Sequence, residues 1–403
     1  MPTTYINGKF ICQHTTGVQR TASGLLTALD DELARSPAGS AGRWVLLVPP
    51  EAVVMPLRCI EVRTIGRPGM SRVLWEQWVL ARAAADGLLL NLAGSAPAFH
   101  RRQVCMLHDA AVFDRPDAYT FLFRTWYRTL FMRLARRANV LLTVSEYSRG
   151  RLCSHLGLPP ERLHVVPNGA DHLSGIEADA SVFERHGIPE RYILAVGSSN
   201  PNKNLPALEH AMQQVHAGTG LGLVLVGGIN RNVFAPSAAD DLGNSAVVRR
   251  TGPVSDAELK ALYQRAVALV FPSLYEGFGL PPLEAMSCGC PVLAANAAAI
   301  PEVCGDGVGY FDPTRTDDIE RSLRELVDVP GLRGELRAAG YRHVARFRWD
   351  DSARLLLAHA RAQAVPHRRH GAAAHRAAAH EMPAEPAPIA QAPAVAPGEP
   401  VAR

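Results

Sequence analysis

Two series of short apolar runs, each alternating with segments of helical period, constrain this chain more than any other feature. The first series has runs at 3–6, 44–48, 88–92, 104–107, 140–144 and 163–166, with helical patterns near 19–35, 71–85, 118–137 and 146–156. After Pro167-Asn168-Gly169 and a polar stretch, a second series follows at 192–196, 223–226, 246–248, 268–271 and 292–294. Strands that are apolar along their whole length are buried on both faces. Parallel pairing then needs a crossover, usually a helix, between consecutive strands. The pattern predicts an α/β chain of two Rossmann-like domains joined near residue 170. Open parallel sheets bind ligands at the carboxyl ends of their strands, so the cleft between the domains is the expected site.

The chemistry concentrates in FPSLYEGFGLPPLEAMSCGCPVLAANAAAIPEV, residues 271–303. A strand breaks at Pro272-Ser273, passes Glu276-Gly277-Phe278-Gly279-Leu280 and enters a helix opened by Pro281-Pro282. Proline is favoured in a first helical turn because its missing N–H would be unpaired there anyway. The amides of Phe278, Gly279 and Leu280 are expected at the positive end of that helix, beside glycines that let a ligand reach the backbone. Such an end attracts phosphate. Glu284 stands eight positions after Glu276, about one turn into the helix, where its carboxylate can accept from vicinal hydroxyls such as those of a ribose. A diphosphate with a diol on one side and a carboxylate on the other fits a nucleotide-sugar.

The stretch resembles the donor-binding signature of the retaining glycosyltransferases of family 4, also called group 1. In step with it are Glu276, Gly277, Phe278, Gly279, Leu280, Pro281, Glu284, Ala285, Gly289, Pro291, Val292, Pro301 and Glu302. The resemblance implies the GT-B fold, two facing Rossmann-like domains with a C-terminal helix crossing back. The expected parts are an acceptor-binding domain at 1–170, a nucleotide-sugar domain at 171–345, the returning helix at 346–364 and a disordered tail at 365–403. The Gly17-Val18-Gln19-Arg20 loop, Leu74-Trp75-Glu76-Gln77 and Asn168-Gly169-Ala170-Asp171-His172 look like bacterial mannosyl- or rhamnosyltransferases of surface polysaccharide assembly.

That family implies roles for residues outside the signature. Gly197-Ser198-Ser199-Asn200-Pro201-Asn202-Lys203 follows the first strand of the second series and matches a phosphate loop, which assigns the diphosphate to Lys203. Many relatives carry an Arg a few residues earlier. Here those positions are Ser198 to Asn202, so a second cation must come from elsewhere, with Arg20 and Arg249 the candidates. Gly17 lies in the loop that lets the donor rest on the first domain. His108 is placed near the reacting carbon, Asp109 orients its loop, and the backbone at Val254 meets the base. Glu276 lies nearest the sugar. A double displacement needs two carboxylates about 5 Å apart around the anomeric carbon, and Glu284 is committed to the ribose. Front-face departure, in which the leaving phosphate takes the acceptor proton, is the expected route.

The reaction expected from the resemblance needs no cofactor and no metal; the nucleotide-sugar, GDP-mannose by preference, is a substrate, and the acceptor is an oligosaccharide, in all expectation lipid-linked. Two readings stay open for residues 120–137. Phe123, Trp126, Tyr127, Leu130, Phe131 and Leu134 recur at helical spacing among five arginines. They make either a basic aromatic face for a peripheral membrane contact or a core stripe with a solvated edge.

Composition narrows the alternatives. The 403 residues suit two domains, and a net charge of +4 gives no reason to expect nucleic acid. Only three basic residues are lysines, Lys9, Lys203 and Lys260, which marks each of them. Seven scattered cysteines fit neither a zinc site nor a disulfide framework and read as free thiols. No signal segment or membrane span is visible, so a cytoplasmic location is expected, with contact at the inner face of the membrane. The four histidines at 367, 370, 375 and 380 belong to the Ala/Pro-rich tail, which cannot bury a core. Rival readings are another GT-B activity such as a nucleotide-sugar epimerase, and a non-catalytic scaffold. An oxidoreductase is disfavoured because neither half carries Gly-x-Gly-x-x-Gly after its first strand.

Overall fold

Both apolar series form parallel sheets, and over six strands the two sheets have the same order, with a seventh strand at one edge of the first. The structure, a computed structural model, describes residues 3–36, 42–228, 233–234 and 244–364; the segment 365–403 and its histidines lie outside the described residues. The first sheet comprises β1 (Thr3–Asn7), β2 (Arg43–Val48), β3 (Glu61–Thr64), β4 (Leu88–Asn91), β5 (Gln103–Met106), β6 (Val140–Thr143) and β7 (Leu163–Val165). Its order is β3-β2-β1-β4-β5-β6-β7, parallel throughout. The second comprises β8 (Tyr192–Val196), β9 (Gly222–Val226), β10 (Val248–Gly252), β11 (Ala268–Phe271), β12 (Val292–Ala295) and β13 (Gly309–Phe311). Its order is β10-β9-β8-β11-β12-β13, again parallel. In each sheet the winding reverses beside the first strand. Loops leaving β1 and β4, and those leaving β8 and β11, therefore flank two crevices of the kind that bind ligands.

Three strands depart from the apolar pattern. β3 and β13 were not expected, and β10 begins at Val248 where 246–248 was expected. β3 is an edge strand, Glu-Val-Arg-Thr, largely exposed. β13 is a three-residue edge strand, and β10 carries Arg249 and Arg250 along a half-buried edge. An edge strand needs to be apolar on one side at most, so the fully apolar run is missing where these strands lie. The helix expected at 71–85 runs over 72–83 and contains a π-helical segment, Trp75–Leu80, that buries Trp75 and Glu76.

The helix Trp349–Ala364 returns to the first domain and packs along the helix Gly17–Arg35. Trp349 is the pivot. Its backbone N–H donates to Asp171 Oδ1 at 3.0 Å and its indole Nε1 to His172 Nδ1 at 3.2 Å. The ring lies where side chains at Gly24 and Gly169 would be. A Cβ on Gly24 would sit 2.6 Å from Trp349 Cε2, and one on Gly169 would sit 2.2 Å from its backbone nitrogen. Further along the same helix, the His359 ring lies 4.5 Å from that of His164 on β7. The seven cysteines are all unpaired. Among the described residues no helix is long and apolar enough to cross a membrane.

Gly24→Ala tests the pivot by the sign of its effect. In a free helix the change would stabilise by about 0.5–1 kcal/mol; against the Trp349 ring, overpacking costs about 1–3 kcal/mol. We expect a net loss of stability in denaturant melts, smaller when combined with Trp349→Phe. A gain for the single variant would show that the two helices do not meet there. His359 supplies a pH test. Burial, and then the neighbouring His164, pull its pKa down to about 4. The folded value lies below the unfolded one of about 6.5. Its contribution to stability is therefore complete above pH ~6.5 and is lost as pH falls toward 4. His359→Leu should flatten the decline in melting temperature across that window, and an unchanged slope would remove His359 from the acid response.

Candidate active site

The site is built where the loops after β8 and β11 meet the first domain. After β8 the chain turns through Pro201–Lys203, with the Asn200 side chain accepting from the Asn202 amide at 2.9 Å. Asn204 then takes a left-handed conformation, φ 52°, to start the helix Leu205–Thr219. This turn sends the Lys203 side chain back over the strand end. Its stem fills the space a side chain on Gly197 would need, with an added Cβ only 3.1 Å from Lys203 Cδ. The ammonium ends 2.6 Å from Glu276 Oε1 and 5.2 Å from the centre of the Phe271 ring. The expected phosphate-loop lysine and the first signature carboxylate are thus one ion pair, both side chains more than four-fifths buried.

Gly277 is where the loop after β11 docks on the first domain. A Cβ there would lie 2.7 Å from Asp109 Cβ and 2.8 Å from the His108 carbonyl oxygen. The Gly277 carbonyl accepts from Ser145 Oγ at 2.7 Å and Ser148 Oγ at 3.0 Å. Ser145 also caps the helix Glu146–Leu156. A second tie comes from Glu302, whose two oxygens accept from the Glu146 and Tyr147 amides at 2.7 Å each. A carboxylate at a helix N-terminus meets unpaired amides and the positive end of the dipole. Glu302 had been matched in the sequence without a role. Beyond Gly277, Gly279 adopts φ 110° and starts the helix Leu280–Ser287. Phe278 faces the core, its ring edge-on to Phe347 at 6.0 Å.

On the first-domain side of the Gly277 contact lie His108 and Asp109. The His108 ring is buried and donates from Nε2 to the Leu92 carbonyl at 2.9 Å. A carbonyl can only accept, so this bond places the proton on Nε2 and leaves Nδ1 as the acceptor nitrogen. Burial pulls the His108 pKa down to about 4, so the ring is neutral near pH 7. Asp109 accepts from the Ala111 amide at 2.8 Å. Burial first, and the Glu276 and Asp114 charges after it, push its pKa up to about 6. Just before Glu276, the Tyr275 hydroxyl donates to Asp114 at 2.9 Å. Asp114 is held at about 2 because Arg151, His155 and Tyr275 together outweigh its burial.

Glu284 sits deeper than the sequence implied. It is 2% exposed. Its Oε1 meets His172 Nε2 at 3.1 Å and Arg20 Nε at 3.3 Å, and its Oε2 accepts from the Tyr263 hydroxyl at 3.0 Å. Burial alone would raise its pKa, but these partners hold it below the ordinary carboxylate value. Arg20 also pairs with Asp256 at 2.7 Å, so it spans the domains and is already committed to two carboxylates. Arg249, the other candidate cation, donates to the Ser245 carbonyl. Gly17 begins its helix exposed, and a Cβ added there would meet nothing within 4 Å. Val254 is half-buried between β10 and the helix Asp256–Arg265, whose Ser255/Glu258 capping box fixes that turn. The sequence signalled His172, in the quoted 168–172 segment, but not its bond to Glu284. Tyr263 carried no signal, because an aromatic at helical spacing reads as core.

Comparisons with known proteins agree with this geometry. Residues 180–343 match the family model "Glycosyl transferases group 1", and residues 45–172 match "Glycosyltransferase Family 4". An "MMP alpha-(1->4)-mannosyltransferase" of Mycolicibacterium hassiacum is 36% identical over 58% of this chain and 56% of its own length. "O-antigen chain mannosyltransferase B" of Escherichia coli is 29% identical over 62% and 68%. The "Serotype-specific mannosyltransferase WbdA" of Escherichia coli is matched over only 33% of its length, so the chain spans between a third and about two thirds of these curated relatives. The Anabaena HepE structure in complex with UDP-glucose superposes with a TM-score of 0.67 at 18% identity, covering 90% of this chain and all of that one. WaaG, described as a glycosyltransferase involved in lipopolysaccharide biosynthesis, gives 0.62 at 15% over 88% and 98%. These likenesses show the GT-B fold. With both family models matched in succession and the signature carboxylates lying between the two sheets, the chain belongs to the family 4, group 1 glycosyltransferases.

Proposed function

We propose that the chain transfers a hexose, mannose in our reading, from a nucleoside diphosphate sugar to a growing lipid-linked oligosaccharide of a surface polysaccharide. The transfer retains anomeric configuration and needs no metal. The observation that carries the reading is the Lys203–Glu276 pair, 2.6 Å apart at the second sheet's switch point and near enough to Asp109 to act on its charge. An ammonium has three donors. With one on Glu276, two are left for the oxygens of the departing diphosphate, whose growing charge they stabilise without reorganisation. Glu276 holds the lysine in that position and presents its second oxygen to the sugar.

The neighbouring groups fit the same assignment. His108, neutral and with Nδ1 as acceptor, takes a hydrogen bond from a sugar hydroxyl and adds no positive charge beside the developing oxocarbenium. The donor lies over Gly17, where the absence of a side chain leaves room. The ribose hydroxyls replace Arg20 at Glu284, since that contact, at 3.3 Å, is the longest of the three. The backbone at Val254 meets the base. Buried and bonded on both oxygens, Glu284 is unavailable as a nucleophile, which favours departure and attack on one face with the leaving phosphate taking the acceptor proton. Mannose and GDP are chosen because the relatives described above are named mannosyltransferases. The basic first-domain helix Phe121–Arg137 supplies the peripheral membrane contact that a lipid-linked acceptor requires.

Thermal shift with GDP, UDP, dTDP and ADP, run in chelator, tests the donor. A ligand at about 100 times its dissociation constant adds about 2.7 kcal/mol of stability. We expect GDP to give the largest rise. A rise with UDP alone would overturn the mannose assignment, and none with any nucleotide would bring a non-catalytic scaffold forward. Lys203→Ala should then slow transfer by about 3 kcal/mol, as loss of a preorganised donor does, with circular dichroism unchanged. Undiminished turnover in that folded variant would take Lys203 out of the mechanism.

A further inference from the structure

A groove of about 1320 Å³ opens on the first domain between the helical stretch 72–83 and the helix Phe121–Arg137. It is larger than the roughly 300–1,000 Å³ that encloses most small ligands. Its walls include Leu74, Trp78, Phe99 and Trp126, and Trp78 and Phe99 are 74% and 65% exposed. Exposed apolar surface on this scale marks an interaction site. The core does not account for it. On Phe121–Arg137 the core takes Leu130, Phe131 and Leu134, while Phe123 and Tyr127 stack in a row with Tyr119. Of the aromatic stripe read from the sequence, Trp126 is the member left exposed.

The charge at the rim is one-sided. Arg133 and Arg137 both lie over the Phe99 ring, at 4.9 and 5.5 Å from its centre, and Arg82 stands on the opposite wall. Among the described residues none of these three guanidiniums has a carboxylate partner. Glu76, on the 72–83 wall, is buried and held by Lys9 at 2.7 Å, Asn7 at 2.9 Å and Ser95 at 2.8 Å. An apolar trough with an unneutralised guanidinium rim recognises an amphiphile that has a hydrocarbon chain and an anionic head.

One loop ties the groove to His108. The loop 92–100 begins at Leu92, whose carbonyl accepts from His108, and runs to Phe99 in the groove wall. Gln77 grips this loop from the groove side, donating to the Ala96 carbonyl at 3.0 Å and accepting from the Ala98 amide at 2.8 Å. One loop therefore joins the site to the trough. We infer that the groove holds the hydrocarbon chain of the acceptor lipid, with the lipid phosphate between Arg82 and Arg133; this rests on the lipid-linked acceptor proposed above. The chain lies in the trough and the sugar end is directed along the 92–100 loop to His108.

The probe is farnesyl phosphate, titrated into the full chain and followed by tryptophan fluorescence, with farnesol and inorganic phosphate as controls. We expect saturable binding of farnesyl phosphate, each control weaker by about tenfold or more, and Phe99→Glu weakening it by at least about as much. Arg133→Glu should bring farnesyl phosphate down to the level of farnesol. Because Phe99 and Arg133 are on the surface, both variants should keep the wild-type melting temperature and its rise with nucleotide. Equal binding by wild type and Phe99→Glu, or no binding at all, overturns the inference. So does a Phe99→Glu variant that loses sedimentation with phosphatidylglycerol vesicles but still binds monomeric farnesyl phosphate, since the patch would then face a bilayer and hold no single chain. Farnesyl phosphate binding without any nucleotide response would uphold the groove and sink the transfer reading.

Discussion

The contact at Gly277 is the one on which the rest of the site depends. Two sheets, each complete in itself, become one active-site cleft only if the loop carrying Glu276 approaches the loop carrying His108. At Gly277 that approach is so close that no side chain fits between the backbones. Two serine hydroxyls from the cap of a first-domain helix satisfy the buried carbonyl, and Glu302 satisfies the amides at the same helix end. The polar groups that domain docking removes from water are paired across the junction, so closure leaves few orphaned bonds to oppose it. Specificity of approach comes from shape and its cost is lowered by hydrogen bonding.

With the approach fixed, charge is arranged in layers. The most exposed layer is Lys203 with Glu276, a pair close enough to neutralise one another yet open enough to exchange partners with a ligand. Behind it Asp109 is driven toward its protonated form by burial, with the Glu276 and Asp114 charges adding to it, and His108 is kept neutral by burial. Deeper still, Glu284 remains ionised because an arginine, a histidine and a tyrosine surround it. Two opposite pKa shifts on adjacent residues, 108 and 109, have one cause: low local polarity disfavours whichever form carries charge. The transfer proposed above would build positive charge on a sugar and negative charge on a diphosphate, and it would benefit from surroundings that contribute little stray charge of their own.

Much of this was legible in the sequence, for identifiable reasons. Buried parallel strands must be apolar throughout, so eleven strands could be placed, β10 two residues early, and the two edge strands that escaped, β3 and β13, do not have to be. Lys203 and Glu276 were visible because glycines, prolines and spacing converge on them. Lysine scarcity was a cruder guide. It marked Lys203, but equally Lys9, which neutralises buried Glu76, and Lys260, which donates to the carbonyls of Leu173 and Ile176. What stayed hidden was the set of long-range pairings: Arg20 with Glu284, Tyr263 with Glu284, Tyr275 with Asp114. Nothing local in a sequence distinguishes an arginine in a first helical turn that meets solvent from one that meets a carboxylate on another domain.

The slot formed by Gly24 and Gly169 has a consequence for how the protein is made. Both glycines belong to the first domain or its border, and the tryptophan that fills the space between them is translated after the entire second domain. Domains ordinarily fold as units, in the order in which they leave the ribosome. Here the earlier unit emerges with an apolar furrow along the helix Gly17–Arg35 that the helix Trp349–Ala364 covers, with Trp349 seated against Gly24. The nascent first domain therefore waits, partly undressed, through the synthesis of its neighbour. The seam between the helices Gly17–Arg35 and Trp349–Ala364 closes last, and it locks the order of assembly into the finished fold.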